Sequence, residues 1–279
     1  MNNEDRQAVS IDLTTCDRAP IHTPGRIQSF GHLIAVDRDG RGLRASAGSG
    51  AMFGRSDEAL LGQSLDSLLA REPLHTLRAP MQLVMLRPDA VARIFGFEVQ
   101  GARFDVAVHR SDGLTVIEFE PEQERTELVA TVSSMIAQLP PGASVSSLAQ
   151  LGVRHVRALT GFDRVMVYRF LPDDTGEVIA EAVDDQPAYL GLRYPASDIP
   201  KQARALYRRN LLRIIHDVTD LGQPILRTAN GDDALLDLSL STTRAVSPAH
   251  LEYLRNMKVG ASMSISILRR GKLWGLIAC

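Results

Sequence analysis

Two cysteines, Cys16 and Cys279, are the only thiols in this chain of 279 residues. Cys279 ends the apolar run LWGLIAC, where a thiol usually packs as a small hydrophobic side chain. Cys16 lies instead in TTCDRAPIHTPG, a polar segment interrupted by prolines that is not expected to fold alone. Packing does not explain Cys16, and its thiol is a candidate for chemistry in which the thiolate is the reactive form.

Two further titratable side chains lie at predicted helix starts. Asp198 belongs to YPASDIP, a loop held between two prolines, and the helix-forming run PKQARALYRRNLLR begins at Pro200. Its carboxylate either caps a helix or turn, or faces a pocket. His250 belongs to SPAHLEYLRNM, where Ser247 can cap a helix and Pro248 suits its first turn. Such a histidine is either a satisfied core group or a ligand contact.

Helical spacing places His250, Tyr253, Leu254 and Met257 on one face. Period-two alternation in ASMSISIL predicts a strand with an apolar face and a face of three hydroxyls, which include Ser262 and Ser264. The serine face is either exposed to water or the polar wall of a pocket that donates hydrogen bonds to an anionic ligand. In FDRVMVYRF the same alternation places Met166, Tyr168 and Phe170 on one face.

Two arginines flank these elements. Arg213 is predicted to end the helix that begins at Pro200, and Arg244 precedes the helix that carries His250. Solvation at the surface is the default for each, but the planar donor fork of arginine suits carboxylates. A pocket with aromatic rings, methionines, a histidine, an aspartate, serines and two arginines suggests a large, flat, conjugated ligand with two carboxylates.

The elements that must position these groups form two units. Residues 27 to 119 predict strands and turns, with hairpins at Asp39–Gly40 and Asp112–Gly113 and a helix after a Ser56 cap, which together make one α+β domain. The charged stretch EPEQERTE indicates a boundary. Helical periodicity then continues up to Gly161 and opens a second domain.

Composition excludes several classes of protein. A hydrophobic share of 44% and a formal net charge of -2 describe a globular chain that can bury a core, and its length suits two domains. The absence of a long basic block argues against nucleic-acid binding. No secretory start or membrane-spanning run is present, so we expect no membrane association and a reducing cytoplasmic location.

A family resemblance is carried by the stretches DRVMVYRF, GEVIAEA, YPASDIP, ARALY, SPAHLEYLRNM, ASMSISI and LWGLIAC, in this order. Together they resemble the chromophore-binding module of the bacteriophytochromes, and CDRAPIHTPGRIQ resembles the attachment segment of that family. The resemblance implies an α+β fold of a PAS and a GAF domain, each a central antiparallel sheet with flanking helices. The implied division is a leader (1–26), a PAS domain (27–120), a linker (121–127) and a GAF domain (128–279).

The resemblance also implies a figure-of-eight knot, in which Ile27 passes through a lasso of residues near 216 to 245. Knots of this kind are rare in proteins.

The implied function is red and far-red photoreception with biliverdin, a linear tetrapyrrole, bound to Cys16 through a thioether. Asp198 and His250 would contact the pyrrole system, and Arg213 and Arg244 would clamp the propionates. The remaining implied binding residues are Tyr207, Ser262 and Ser264 as supporting donors, Tyr168, Tyr194, Tyr253, Met166 and Met257 as walls, Ile199 and Pro200 as stacking groups, and Ser247.

Relatives continue beyond LWGLIAC with a histidine pair, a closing helix, a PHY domain and a kinase-type output domain. The resemblance therefore implies a sensory fragment that is not itself an enzyme, with weak near-infrared fluorescence and signalling partners outside this chain. Whether it forms a homodimer stays open. Two other functions also stay open: a noncovalent haem or cyclic-nucleotide sensor, and a thiol enzyme that uses Cys16 with His22 or His250.

Overall fold

The computed structural model describes residues 20–123, 128–138, 140–184, 186–229 and 233–279. Cys16, the predicted attachment residue, lies outside the described residues.

In the first unit, a group of helices lies between two groups of strands along the chain. The strands are β1 (Arg26–Ile27), β2 (His32–Val36), β3 (Gly42–Ser46), β4 (Ala92–Val99), β5 (Ala102–Ser111) and β6 (Leu114–Pro121). The helices are α1 (Ser49–Met52), α2 (Asp57–Leu60), α3 (Leu65–Leu68) and α4 (Arg71–Leu86).

The second unit contains α-helices of 9 to 16 residues and a second sheet. Its helices are α5 (Leu128–Ala137), α6 (Val145–Thr160), α7 (Lys201–Arg209) and α8 (Pro248–Asn256), with a 3-10 helix at Ala196–Asp198. Its strands are β7 (Arg164–Phe170), β8 (Gly176–Val183), β9 (Arg193–Tyr194), β10 (Leu212–Ile215), β11 (Gln223–Arg227), β12 (Ser262–Arg269) and β13 (Lys272–Ala278).

Within the described ranges the strands form two antiparallel sheets. The first has the order β1-β11-β3-β2-β6-β5-β4 and the second has the order β10-β12-β13-β7-β8-β9. Strand β11 belongs to the second unit in sequence but adds to the sheet of the first, beside β3 and β1. The two units therefore share one sheet.

Both predicted Asp-Gly hairpins are confirmed. Asp112 and Gly113 have φ angles of 47° and 80° at the turn between β5 and β6, and Gly40 has a φ of 75° between β2 and β3. Ser56 caps as expected, since its Oγ accepts from the Ala59 amide at 3.3 Å. The predicted single helix after Ser56 is wrong, because the chain turns at Gly62, where φ is 81°, and forms α2 and α3 instead.

The two faces of the first sheet are covered by different segments of the chain. One face packs under the helices around Phe119, which is fully buried and touches the rings of Phe53, Phe97 and Phe104 at centroid distances of 6.1 to 6.3 Å. The other face packs against Ile27 and a segment of the second unit that contains Leu238. The second unit thus supplies part of the core of the first.

The segment of residues 216–245, here called the lasso, meets the incoming chain from two sides. Ile27 is paired with Gln223 in β11 and, on the other side, forms a bridge with Arg244. Gln28 donates from its backbone to the Thr243 carbonyl at 2.7 Å and accepts from the His216 amide at 3.0 Å. Ile27 thus contacts both arms of the lasso, as its passage through the lasso requires.

Candidate ligand-binding pocket

A cavity of about 340 Å³ lies against the second sheet, between α7, α8, β10 and β12. Of the predicted site residues, its lining includes Asp198, Ile199, Pro200, Tyr207, Arg213, Arg244, Ser247, His250, Tyr253, Ser262 and Ser264. Residues from separate elements of the second unit therefore converge on one space.

Arg213 reaches the cavity from a strand. The predicted helix from Pro200 to Arg213 is wrong, because α7 ends at Arg209 and Leu212–Ile215 pairs with β12 as strand β10. Pairing with a neighbouring strand overrides local helical propensity here. Arg213 lies directly opposite Ser264 in this register, so the arginine and the serine face share one wall.

The two arginines lie side by side. Arg213 donates to the main-chain carbonyls of Arg244 at 2.6 Å and Ala245 at 3.2 Å, and Arg244 donates to the Ile21 carbonyl at 2.5 Å. Within the described ranges neither forms an ion pair with a carboxylate, and the Arg244 Nε is buried without a hydrogen-bond partner. Burial and then the charge of Arg244 lower the pKa of Arg213 to about 9. Such a site favours an anion.

His250 lies on α8, whose start has the predicted cap. Ser247 Oγ accepts from the His250 amide at 3.4 Å, and Pro248 occupies the first turn. The ring of His250 stacks on Tyr253 with centroids 6.0 Å apart. Burial, followed by the charges of Arg213 and Arg244, lowers the pKa of His250 to about 4. The imidazole is therefore neutral at pH 7 and can both donate and accept.

Asp198 ends the 3-10 helix that precedes α7. Pro200 is the cap residue of α7, and no side chain caps the helix start. Among the described residues, no hydrogen bond supports a capping role for Asp198. Burial raises the pKa of Asp198. Its charge in turn raises the pKa values of Tyr168 and Tyr253, in each case after burial itself. The carboxylate therefore lies near enough to Tyr168 and Tyr253 to act on them through its charge, and it forms no ion pair among the described residues.

Tyr168 and Tyr194 lie in this aromatic group, with ring centroids 6.1 Å apart, but neither is among the residues that line the cavity. Burial raises the pKa of Tyr168 to about 12, and its hydroxyl has no partner within the described residues. The ring lies over Gly176, where a Cβ would come within 1.8 Å of Tyr168 Cζ. Glycine at this position makes room for the ring.

The predicted alternation of β12 is confirmed. Ile267 packs in the core under α6, while Ser262 and Ser264 face the cavity. Met166 pairs with Ala278, which pairs with Ser264, so Met166 lies on the cavity face of the sheet, although it is not part of the lining. Met257 follows the end of α8 and is also outside the lining.

Several lining residues are absent from the sequence prediction. Ala203, Leu206, Tyr207 and Asn210 all line the cavity from α7 and its end, and only Tyr207 was expected. Their spacing of i, i+3, i+4 and i+7 is the signal that identifies this helix face. Ile21, from the chain that precedes β1, also lines the cavity, and no local sequence pattern indicates that.

The part of the chain that the structure describes contains no cluster of histidine, cysteine or acidic residues that could hold a metal ion. None of its helices is long and apolar enough to cross a membrane.

Comparison with known proteins gives two family matches. The model of the PAS fold matches residues 16–122, and the model of the GAF domain matches residues 144–279.

The relatives and solved structures agree with these matches. The chain is 42% identical to cyanobacterial phytochrome B of Nostoc sp. and 39% identical to a bacteriophytochrome of Pseudomonas aeruginosa, in each case over 96% of this chain and 37% of the relative. Its structure is similar to a mutant chromophore-binding domain of Stigmatella aurantiaca bacteriophytochrome in the Pr state, with a TM-score of 0.84, 42% identity and coverage of 95% of this chain and 90% of that one. The photosensory core module of Stigmatella aurantiaca phytochrome also has a TM-score of 0.84 at 42% identity, over 96% of this chain and 55% of that one. The chain thus spans little more than a third of the length of these curated relatives.

Proposed function

This chain belongs to the bacteriophytochrome family, as its PAS–GAF module, and we propose that it binds biliverdin in the cavity of the second unit and senses red and far-red light. The observation that carries the proposal is the pair of arginines, Arg213 and Arg244. Two guanidinium groups without carboxylate partners in the described chain face a cavity of about 340 Å³. Burial of such charges is costly unless an anion accompanies them.

The residues present fit a tetrapyrrole with two propionates. Arg213 and Arg244 supply forks for two carboxylates, and Tyr207, Ser262 and Ser264 add hydroxyl donors beside them. The buried Arg244 Nε, which lacks a partner within the described residues, is a polar atom that a ligand could satisfy. Ile199 and Pro200 provide an apolar surface for a flat ring system.

The protein side of the photocycle depends on Asp198 and His250. When bound, the tetrapyrrole supplies red-light absorption and isomerisation of the double bond between rings C and D. His250, neutral because its pKa is about 4, would hold the pyrrole system by hydrogen bonds. Asp198, whose carboxylate forms no ion pair among the described residues, would be free to exchange hydrogen-bond partners between the two states. The switch is a shift between two populations of the protein.

Cys16 is the proposed attachment residue. Its thiolate would add to the vinyl group of ring A, so that a C–S bond forms, the vinyl π bond breaks, and the proton released by the thiol ends on the neighbouring vinyl carbon. No oxidant or second reactant is needed. The length of chain between them supports this role, because Cys16 lies five positions before Ile21 in the cavity wall, and five extended residues span at most about 18 Å.

The whole protein is proposed to place PHY and histidine kinase-type output domains after this module, so that the module itself is a sensor without enzymatic turnover. We propose a cytoplasmic location, where thiols such as Cys16 stay reduced and available for thioether formation. A homodimer is compatible with this function but is not required by the cavity.

Addition of biliverdin to the apoprotein tests the proposal. We expect a red absorption band that changes reversibly under alternating red and far-red light. Haem and cyclic nucleotides, the ligands of the rival sensor, are the matched comparison. Preferential binding of either one, or no red band with biliverdin, would overturn the proposal.

A further inference from the structure

A buried carboxylate of the first unit holds the lasso of the second. Glu118 lies on β6 and is 0% exposed. It accepts from Ser241 Oγ at 2.5 Å, from the amides of Thr242 at 3.1 Å and Thr243 at 2.9 Å, and from the hydroxyl of Thr243. His109 Nε2 lies 3.4 Å from the second carboxylate oxygen. Every one of these lasso donors lies within residues 241–243.

The ionised form of Glu118 is stabilised in spite of its depth. Burial alone would raise its pKa, but His109 and the hydroxyls of Ser241 and Thr243 hold the pKa of Glu118 at about 2. A buried carboxylate that accepts several hydrogen bonds keeps its charge, and its loss leaves buried donors without an acceptor. Arg93 adds a second link, since it donates to Thr242 Oγ1 at 3.2 Å.

The segment held in this way leads directly into the ligand cavity. Thr243 is followed by Arg244, whose side chain lines the cavity. The Arg244 carbonyl accepts from Arg213 at 2.6 Å and from Gln28 Nε2 at 3.2 Å, so it also fixes the second cavity arginine and the threaded chain. A displacement of residues 241–243 would therefore move both guanidinium groups.

We infer that Glu118, a residue of the PAS unit that does not touch the cavity, is a positioning residue for ligand binding in the GAF unit, because it fixes the lasso residues that place Arg244. The inference rests on the proposed function for the identity of the ligand. The placement of the lasso itself can be measured without any ligand.

A general stabilising role is the alternative for Glu118. In that case its removal would lower the stability of the whole chain, and any effect on ligand binding would not depend on Arg244. Glu120 offers a matched control, because it lies two residues further along β6 and forms no hydrogen bond to the lasso in the described structure. Glu120→Gln is the same substitution on the same side of the strand.

Hydrogen exchange of the apoprotein provides the readout without ligand. In Glu118→Gln the amides of Thr242 and Thr243 should exchange at least about tenfold faster, since a charged buried acceptor is lost. In Glu120→Gln their exchange should not change. Unchanged exchange in Glu118→Gln would overturn the inference, even where biliverdin binds normally.

Biliverdin affinity, measured in a double-mutant cycle, separates positioning from general stability. Glu118→Gln should weaken biliverdin binding about tenfold in the wild-type and Ser264→Ala backgrounds and clearly less in the Arg244→Ala background, where only the effect through Arg213 remains. An equal loss in all three backgrounds would show that Glu118 does not act through Arg244.

If Glu118→Gln does not fold, Ser241→Ala with Thr243→Val keeps the carboxylate, removes two donors and enters the same cycle. Failure of the wild-type chain to bind biliverdin would contradict the proposed function, and hydrogen exchange would then decide the inference alone.

Discussion

At the scale of single residues, the charge of the cavity determines which ligands it accepts. Arg213 and Arg244 have no carboxylate partners in the described chain, and both donate hydrogen bonds to main-chain carbonyls. These carbonyls position the guanidinium groups but do not neutralise them. An anionic ligand would complete the site, and its affinity should depend on both arginines.

A comparison of biliverdin with its dimethyl ester tests whether the two arginines bind the charged propionates. We expect the wild-type chain to bind the diacid more tightly by roughly tenfold or more, because a buried guanidinium favours a charged acceptor by about 1.5–3 kcal/mol. Arg213→Ala with Arg244→Ala should remove most of this preference, and the lysine variants should restore only part of it. Competitive absorbance titrations measure the ratio. An undiminished preference for the diacid in the double alanine variant would contradict the clamp.

Asp198 is expected to affect the optics more than the stability. Its carboxylate has no capping role and faces tyrosines. Asp198→Asn should therefore reduce photoconversion several-fold and increase near-infrared emission, while urea unfolding of the apoprotein changes by less than about 1 kcal/mol. Asp173→Asn, on an exposed turn, is the control. Normal photoconversion in Asp198→Asn would exclude the assigned role.

Two groups oppose each other in the pH dependence of stability. The lowered pKa of His250, about 4, means that the unfolded chain takes up a proton first as the pH falls below about 6.5, so stability decreases from there towards pH 4. Burial, and then the charge of Glu118, raises the pKa of Glu120 in the folded chain from 4.5 to about 7. The contribution of Glu120 to the free energy of unfolding therefore decreases as the pH rises from 4.5 towards 7. The two slopes have opposite signs between about pH 4.5 and 6.5.

Glu120→Gln should reveal the pH dependence that His250 contributes to the free energy of unfolding. In the variant, His250 alone should make the free energy of unfolding increase with pH by up to about 1.4 kcal/mol per unit between pH 4.5 and 6.5, whereas the wild-type curve stays flatter. His32, whose pKa is also lowered, acts in the direction of His250, and Asp198 acts in the direction of Glu120. Urea unfolding at several pH values measures the slopes. A slope in Glu120→Gln equal to that of the wild type would contradict this assignment.

At the scale of elements, local chemistry predicted the turns and caps but not the pairing between distant segments. Asp112–Gly113 and Ser247 act through neighbouring backbone and were therefore correct. Arg213 was assigned to a helix because its neighbours favour one, while its partner strand β12 lies some fifty residues further along the chain. Helix α4 was not predicted, and Pro80 in its interior weakens the helical signal.

Gly222 lies where the lasso meets the threaded chain. Its φ is +72°, and a Cβ there would lie 2.5 Å from the Ile27 carbonyl oxygen. Gly222→Ala should cost roughly 2–4 kcal/mol, since the left-handed conformation and the overlap with backbone both contribute. Gly142 has nearly the same φ, +73°, with open space around it, so Gly142→Ala should cost only about 1 kcal/mol. Denaturant unfolding compares the two, and equal costs would contradict a tight passage at Ile27.

At the scale of the whole molecule, the two units depend on each other for the site. The chain before β1 contributes Ile21 to the cavity, the lasso contributes Arg244, and Glu118 of the first unit fixes the lasso. The sequence predicted the residue types of the pocket because most come from regular elements with clear periodicity. It did not predict Ile21 or Glu118, because their roles arise only from contacts between residues far apart in sequence.

The central claim is that this chain carries biliverdin on one cysteine, and the mass of the denatured protein tests it most directly. After incubation with biliverdin, the wild-type chain and Cys279→Ser should both gain the mass of one biliverdin, while Cys16→Ser should bind the pigment but lose it on denaturation. Cys279 is the matched control because burial raises its pKa to about 11 and suppresses its thiolate. An adduct that persists in Cys16→Ser, or disappears in Cys279→Ser, would contradict the account.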